Sequence, residues 1–247
     1  VAINKAIQDK SAAEQVAAVQ ARMAKAGDKK HLYYPVLART GSDDVIPVLV
    51  AGYKEGNKDG MAFGSMLTVN SDKMIEPLYE VATSNAELKD QALSRYIVLT
   101  KASAMNNDRK YMNYRKALEA QPSVGVQNGA LTAIAATQNY QGMMLAAEYM
   151  DNEATAQAAA NTVMQIATKH PEYYSAEVKA LLEKVSATLN DGDAVYKRKD
   201  IEKFISENKE GAARSIITEL SDEEKAEGFE LLFNGKDMSA WTGNLDA

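Results

Sequence analysis

Two histidines, His31 and His170, are the chain's whole stock of imidazole, and cysteine is absent. Without cysteine there are no disulfides, thiolate zinc sites or cysteine nucleophiles. A Ser-His-Asp relay or a histidine–carboxylate metal centre needs an imidazole held against carboxylates by the fold. No carboxylate spacing singles out either histidine, so both read as surface or capping residues. His170 precedes Pro171 at an expected helix C-terminus, where the helix dipole favours a cation. Asp191-Gly192-Asp193 opens like a calcium loop but lacks the downstream oxygen ligands and closing glutamate, and reads as a turn. No glycine-rich phosphate or dinucleotide fingerprint is present, and no acid pair stands out as general acid and base. These residues point to no catalytic, cofactor-binding or metal-binding site.

Tyrosine is in excess, with twelve beside four phenylalanines. Tyr33-Tyr34, Tyr111 with Tyr114, and Tyr173-Tyr174 form the candidate ligand or partner surface, since aromatic faces suit a sugar or a protein segment. The competing reading is a ring packed between helices with its hydroxyl left wet. The eleven methionines read as adaptable core filler.

Positioning such residues falls to a helical pattern that recurs between about Asp43 and Lys169. Met61–Leu67, Gln91–Ile97, Gly129–Ala135 and Ala158–Met164 align with alanine second in each: Ala62, Ala92, Ala130 and Ala159, at intervals of 30, 38 and 29. A small residue at a fixed place lets two helices approach closely, and periods of 20 to 50 residues mark stacked repeats. The alternative is a non-repetitive helical bundle in which an alanine-rich chain matches by chance.

In chain order, Ser11-Ala12-Ala13-Glu14 predicts a capping box opening a helix with Val16, Val19 and Met23 on its apolar face and Gly27 at its end. A second helix is predicted over Lys29–Thr40. Asp43 to Gly56, with Pro47 in the first turn, pairs with Lys58–Val69. The helix begun at Ser71 carries Pro77 deep enough that a bend is expected, and Ser84-Asn85-Ala86-Glu87 reads as the capping box of the helix running to Ser103. Asn107–Ala120 pairs with Ser123–Gln138, and Tyr140–Met150 with Glu153–Lys169. A final hairpin, Glu172–Leu189 with Ala194–Asn208, is charged enough to cap a stack. The Ile46-Pro47-Val48-Leu49 run, followed by a second helix carrying the alanine, resembles HEAT and armadillo-type repeats over about residues 11–190. The expected fold is all-α, a right-handed α-α superhelix of helical hairpins, with a short C-terminal β-type remnant.

After Asn208 the composition changes. Residues 209–227 read as a linker with a short helical turn opened by Ser221-Asp222-Glu223-Glu224. Gly228–Phe233 is strand-like, Asn234-Gly235 signals a tight turn, and Trp241 follows. Leu220 to Lys225, Gly228-Phe229, Leu232 to Asp237 and Trp241 together resemble the entry into the 3-keto-disaccharide hydrolase family, over about residues 220–247. Met238 and Ala240 stand where that family prefers leucine and glycine. The resemblance implies the start of a concanavalin-like jelly-roll sandwich that handles sugars in secreted bacterial proteins. The sandwich needs many strands beyond Ala247, so none of the family's catalytic residues maps onto these positions.

A net charge of −6 and a pI near 5.2 argue against a nucleic-acid partner, which needs a basic face. No apolar run is long enough to span a membrane. The chain begins at Val1, which is compatible with removal of a signal peptide, and the family resemblance implies a periplasmic or secreted setting. The expected domains are a helical repeat domain over 1–208, the linker over 209–227 and the start of a sugar-hydrolase-type sandwich over 228–247. The expected function is a non-catalytic accessory or interaction module of a sugar-processing protein, its partner a protein or the adjacent hydrolase domain. One alternative is a hydrolase whose sugar cleft the helical array completes, with carbohydrate as ligand; another is a structural spacer. Phe229, Leu231, Leu232, Phe233 and Trp241 form an apolar strand with no sheet to join, so the tail is expected to dock on the last helices or to self-associate.

Overall fold

The structure is a computed structural model that describes residues 9–208 and 225–226, and among these there is no strand. Over residues 9–208 the α-helices are α1 Ala12–Met23, α2 Tyr34–Ala38, α3 Val45–Lys54, α4 Met61–Met66, α5 Ile75–Ser84, α6 Lys89–Ala102, α7 Asn107–Glu119, α8 Val124–Ala135, α9 Tyr140–Glu148, α10 Glu153–Ala167, α11 Ala176–Thr188 and α12 Ala194–Glu207. The described chain is all-α. It packs as two compact units that divide at Val163/Met164, inside α10. The β-type segment expected over 228–247 and most of the expected linker lie outside the described residues; Lys225 and Ala226 are helical.

Side-chain caps open α1, α7, α9 and α11. The Ser11 hydroxyl accepts the Glu14 N–H (3.4 Å) while the Glu14 carboxylate accepts the Ser11 N–H (2.9 Å), so two orphan donors of α1 are satisfied reciprocally. Asn106, Asn139 and Ser175 accept the N3 amides of α7, α9 and α11.

Three expectations about helix starts are corrected. The helix predicted over Lys29–Thr40 is a 3-10 turn, Gly27–Tyr33, followed by the short α2, and Leu32 is half exposed. Pro35 is tolerated in the first turn of α2 but cannot continue a helix arriving from Lys29. Pro77 is the third residue of α5, because Asp72–Met74 forms a separate 3-10 turn. In a first turn it removes no intrahelical bond, so the physical basis for a bend is absent. Ser84 ends α5 and bonds back to the Glu80 carbonyl (2.6 Å), while Asn85 takes the N–H groups of Glu87 (3.0 Å) and Leu88 (3.2 Å). The Asn85 carboxamide thus takes the Glu87 amide that the predicted box assigned to Ser84.

In the first unit α3 packs on α4, α5 on α6 and α7 on α8, while α4 also meets α2, and α6 meets α8. Ala62, Ala92, Ala130 and Ala159 are all fully buried. So are the sixth residues of the same segments, Met66, Tyr96, Ile134 and Val163, whereas the fourth residues Gly64, Ser94 and Thr132 are exposed. The segments thus share a burial register as well as an alanine.

Polar bonds tie neighbouring helices at a regular reach. Lys58 donates to the Asp28 carbonyl (3.3 Å), Lys73 pairs with Asp43 (2.9 Å), and Arg95 donates to the Val69 carbonyl (2.9 Å). Lys89 donates to the Ala120 carbonyl (3.1 Å) and Asp90 accepts the Ser123 N–H (3.0 Å). The Ser123 hydroxyl and N–H hold the Asp90 carboxyl below the usual carboxylate range. Asn128 donates to the Ala154 carbonyl (3.1 Å), and the buried Thr162 hydroxyl to the Leu131 carbonyl (2.8 Å). These bonds join residues 26 to 33 apart in sequence, and the buried rung matters most, because a buried hydroxyl without a partner is costly.

In the second unit α11 packs on α12 through Val178, Leu182, Val185, Ile201 and Phe204. Arg198 closes the turn between them by donating to the carbonyls of Ser186 (2.9 Å) and Leu189.

Candidate functional site

The six tyrosines singled out by sequence divide within each pair. Tyr34, Tyr114 and Tyr174 are buried; Tyr33, Tyr111 and Tyr173 are partly exposed. Tyr34 lies so close over Gly52 that a methyl group there would stand 2.4 Å from its ring and hydroxyl. Burial pushes the Tyr114 phenol up to about 12. Tyr174 meets Phe204 edge-on at 5.7 Å, and Tyr173 stacks on His170 at 4.7 Å. The buried three are packing residues, and of these Tyr34 also lines a small cleft of about 220 Å³ beside His31 and Lys58.

Tyr111 reaches a cleft. It lines a space of about 480 Å³ between α7 and α9, together with Arg115, Glu119, Tyr140, Glu148 and Tyr149. Tyr140 and Tyr149 were missed in the sequence, although Tyr140 follows Tyr111 at 29 residues, the spacing of Ala130 and Ala159. Arg115 and Glu119 pair along α7 at 2.7 Å, whereas Glu148 forms no ion pair with the described residues. Burial, and then the charges of Glu148 and Glu119, push the Tyr149 phenol above its ordinary value.

Two further clefts flank α5. One of about 450 Å³ lies between α3 and α5, lined by Val50, Tyr53, Pro77 and Val81, with the Lys54–Glu80 pair (3.4 Å) among its walls. The other, about 440 Å³ between α5 and α7, carries Lys73, Arg109 and Lys116 against Asp72 and Glu76. Lys73 pairs with Asp43 and Lys116 lies 4.0 Å from Glu76, which leaves Arg109 without an ion pair among the described residues. The α3/α5, α5/α7 and α7/α9 clefts therefore differ in character: apolar, net basic, net acidic.

His31 is buried, not at the surface. Its Nδ1 lies 2.9 Å from the Asp28 carbonyl and its Nε2 3.2 Å from Asp59. Asp59 belongs to the turn Gly56–Gly60, where Asn57 (φ 47°) and Asp59 (φ 53°) adopt left-handed backbone, a conformation that costs non-glycine residues energy. The imidazole thus pins a strained turn onto the preceding one. His170 contacts Glu172 at 2.7 Å. Asp191 accepts the Asp193 N–H (3.2 Å) and pairs with Lys197, as a turn aspartate does. Among the described residues no group of three or more histidine, aspartate or glutamate side chains could hold a metal ion, and no helix is long and apolar enough to cross a membrane. No protein-family model, curated protein or solved structure matches this chain.

Proposed function

We propose that the chain is a right-handed stack of HEAT/armadillo-like helical hairpins serving as a non-catalytic interaction module, continuous beyond residue 228 with the start of a sugar-hydrolase-type sandwich. The observation that carries this reading is the set of polar bonds reaching about one repeat interval from helix to helix, from Lys58–Asp28 to Thr162–Leu131. A hairpin in a stack buries its apolar face only against its neighbours, so its bonds reach about one interval. The shared burial of the four alanines supports the same register. Stacking leaves a row of clefts between first helices, a surface suited to a protein segment. The setting is periplasmic or secreted, by the resemblance of residues 220–247.

The test of the non-catalytic role is turnover of 3-keto-glycosides and glycosides by the purified chain. No turnover is expected. Turnover abolished by substituting a residue within 11–208 would move the assignment to a hydrolase whose cleft the helices complete.

A further inference from the structure

Building on that reading, we propose that the clefts between α3, α5, α7 and α9 bind one extended polypeptide segment whose side chains at i, i+3 and i+6 are apolar, acidic and basic. The charges of the clefts set this order. The α3/α5 cleft is walled mainly by apolar groups; the α5/α7 cleft sets three cations, Arg109 among them, against Asp72 and Glu76; the α7/α9 cleft offers Glu148, without an ion pair among the described residues, beside three tyrosine rings. A cation entering the last cleft gains both the carboxylate and the ring faces. In the proposed stack these helices follow one another at the spacing of packed helices, about 8–10 Å. A polyproline-II chain rises about 3.1 Å per residue with three residues per turn, so i, i+3 and i+6 share a face about 9 Å apart. Exposed Met112 and Met144 line the α5/α7 and α7/α9 clefts as adaptable contacts.

Both unpaired charges stand at the wrong end of their own helix. Arg109 is the third residue of α7, where the dipole disfavours a cation, and Glu148 is the last residue of α9, where it disfavours an anion. Local rules broken without a local gain are expected at functional sites. With Arg115 paired to Glu119, Glu148 leaves the α7/α9 cleft net negative, which favours a cation over a neutral saccharide.

The test is selection of a displayed random dodecapeptide library on the immobilised full chain and on its Arg109→Glu and Glu148→Lys variants. Circular-dichroism melts at or above wild type verify that both variants fold. Wild type is expected to enrich the apolar–acidic–basic order; R109E should select a base in place of the acid, and E148K an acid in place of the base. Wild-type-selected peptides should bind either variant at least tenfold more weakly by fluorescence anisotropy. Enrichment of peptides with another pattern, or indifferent to both variants, would overturn the proposal and leave the interaction module standing. No enrichment over an unrelated immobilised protein would overturn both. Maltose that shifts the NMR signals of Tyr111, Tyr140 and Tyr149, without competition from the selected peptide, would make the α7/α9 cleft a saccharide site and overturn the proposal as well.

Discussion

Replacing Gly142 by alanine sets two effects of opposite sign against each other. Alanine is the better helix former by about 0.8–1 kcal/mol, and Gly142 lies in the first turn of α9. The new methyl group, however, would stand 2.8 Å from Cγ2 of Ile134 on α8 and 2.7 Å from the Asn139 carboxamide oxygen. That oxygen is itself the cap of α9, accepting the Gly142 N–H at 2.8 Å. Relieving the clash therefore displaces either a fully buried isoleucine or the cap. Overpacking costs about 1–3 kcal/mol, and loss of an N-cap about 0.5–2 kcal/mol. The steric effect wins, and Gly142→Ala should destabilise the fold by about 1–2 kcal/mol after the helix-propensity gain is subtracted. Gly129, exposed within α8 with nothing within 4 Å of an added Cβ, supplies the control. Gly129→Ala should stabilise by up to about 1 kcal/mol. For a domain of this size each kcal/mol moves the melting temperature by about 2–4 °C, so thermal and urea denaturation of the two variants resolves the signs. Stabilisation by both would refute the close approach of α8 and α9 on which the reasoning rests.

Ala92→Leu and Ala130→Leu, each placing a larger side chain at a fully buried position, should each cost about 1–3 kcal/mol; unchanged urea midpoints in both would contradict the repeat register. Burial raises the folded-state value of Tyr114, so the stability it contributes is complete below pH 10 and is lost as the pH climbs towards 12. Tyr114→Phe should flatten that alkaline fall, measured as denaturation midpoint against pH, and an unchanged slope would count against its burial. Deleting residues 228–247 should leave the helical circular dichroism intact and remove concentration-dependent self-association. Sedimentation showing the full chain monomeric at every concentration would refute the tail's role.

The helices were legible where pattern and chemistry agree. Alanine at a fixed place in Met61–Leu67 and its counterparts announces close packing, and all four alanines are buried. The capping box at Ser11 was readable because both its partners are local. Ser84 misled because a hydroxyl can equally bond back to a carbonyl four residues earlier, and only the course of α5 decides between the two. Pro77 misled through an offset, since the 3-10 turn before it moved the start of the α-helix. His31 was read as a surface residue because its burial depends on a turn 28 residues later, whose left-handed backbone folds Asp59 against it. The candidate cleft was half visible: Tyr111 was named, but Tyr140 and Tyr149 join it only through the packing of α7 beside α9. The unpaired states of Arg109 and Glu148 belong to neighbouring helices and leave no mark on the sequence.

The central claim is that the hairpins succeed one another in a stack, and the absence of cysteine makes it directly measurable. Cysteine pairs placed at the exposed positions Gly64, Ser94 and Thr132 carry nitroxide labels without background, and dipolar electron resonance reads their separations. A stack predicts single steps, Gly64 to Ser94 and Ser94 to Thr132, of about 10 Å between helices, with Gly64 to Thr132 clearly longer than either and approaching their sum. A Gly64–Thr132 distance equal to or shorter than the single steps would contradict the stack and leave an ordinary helical bundle.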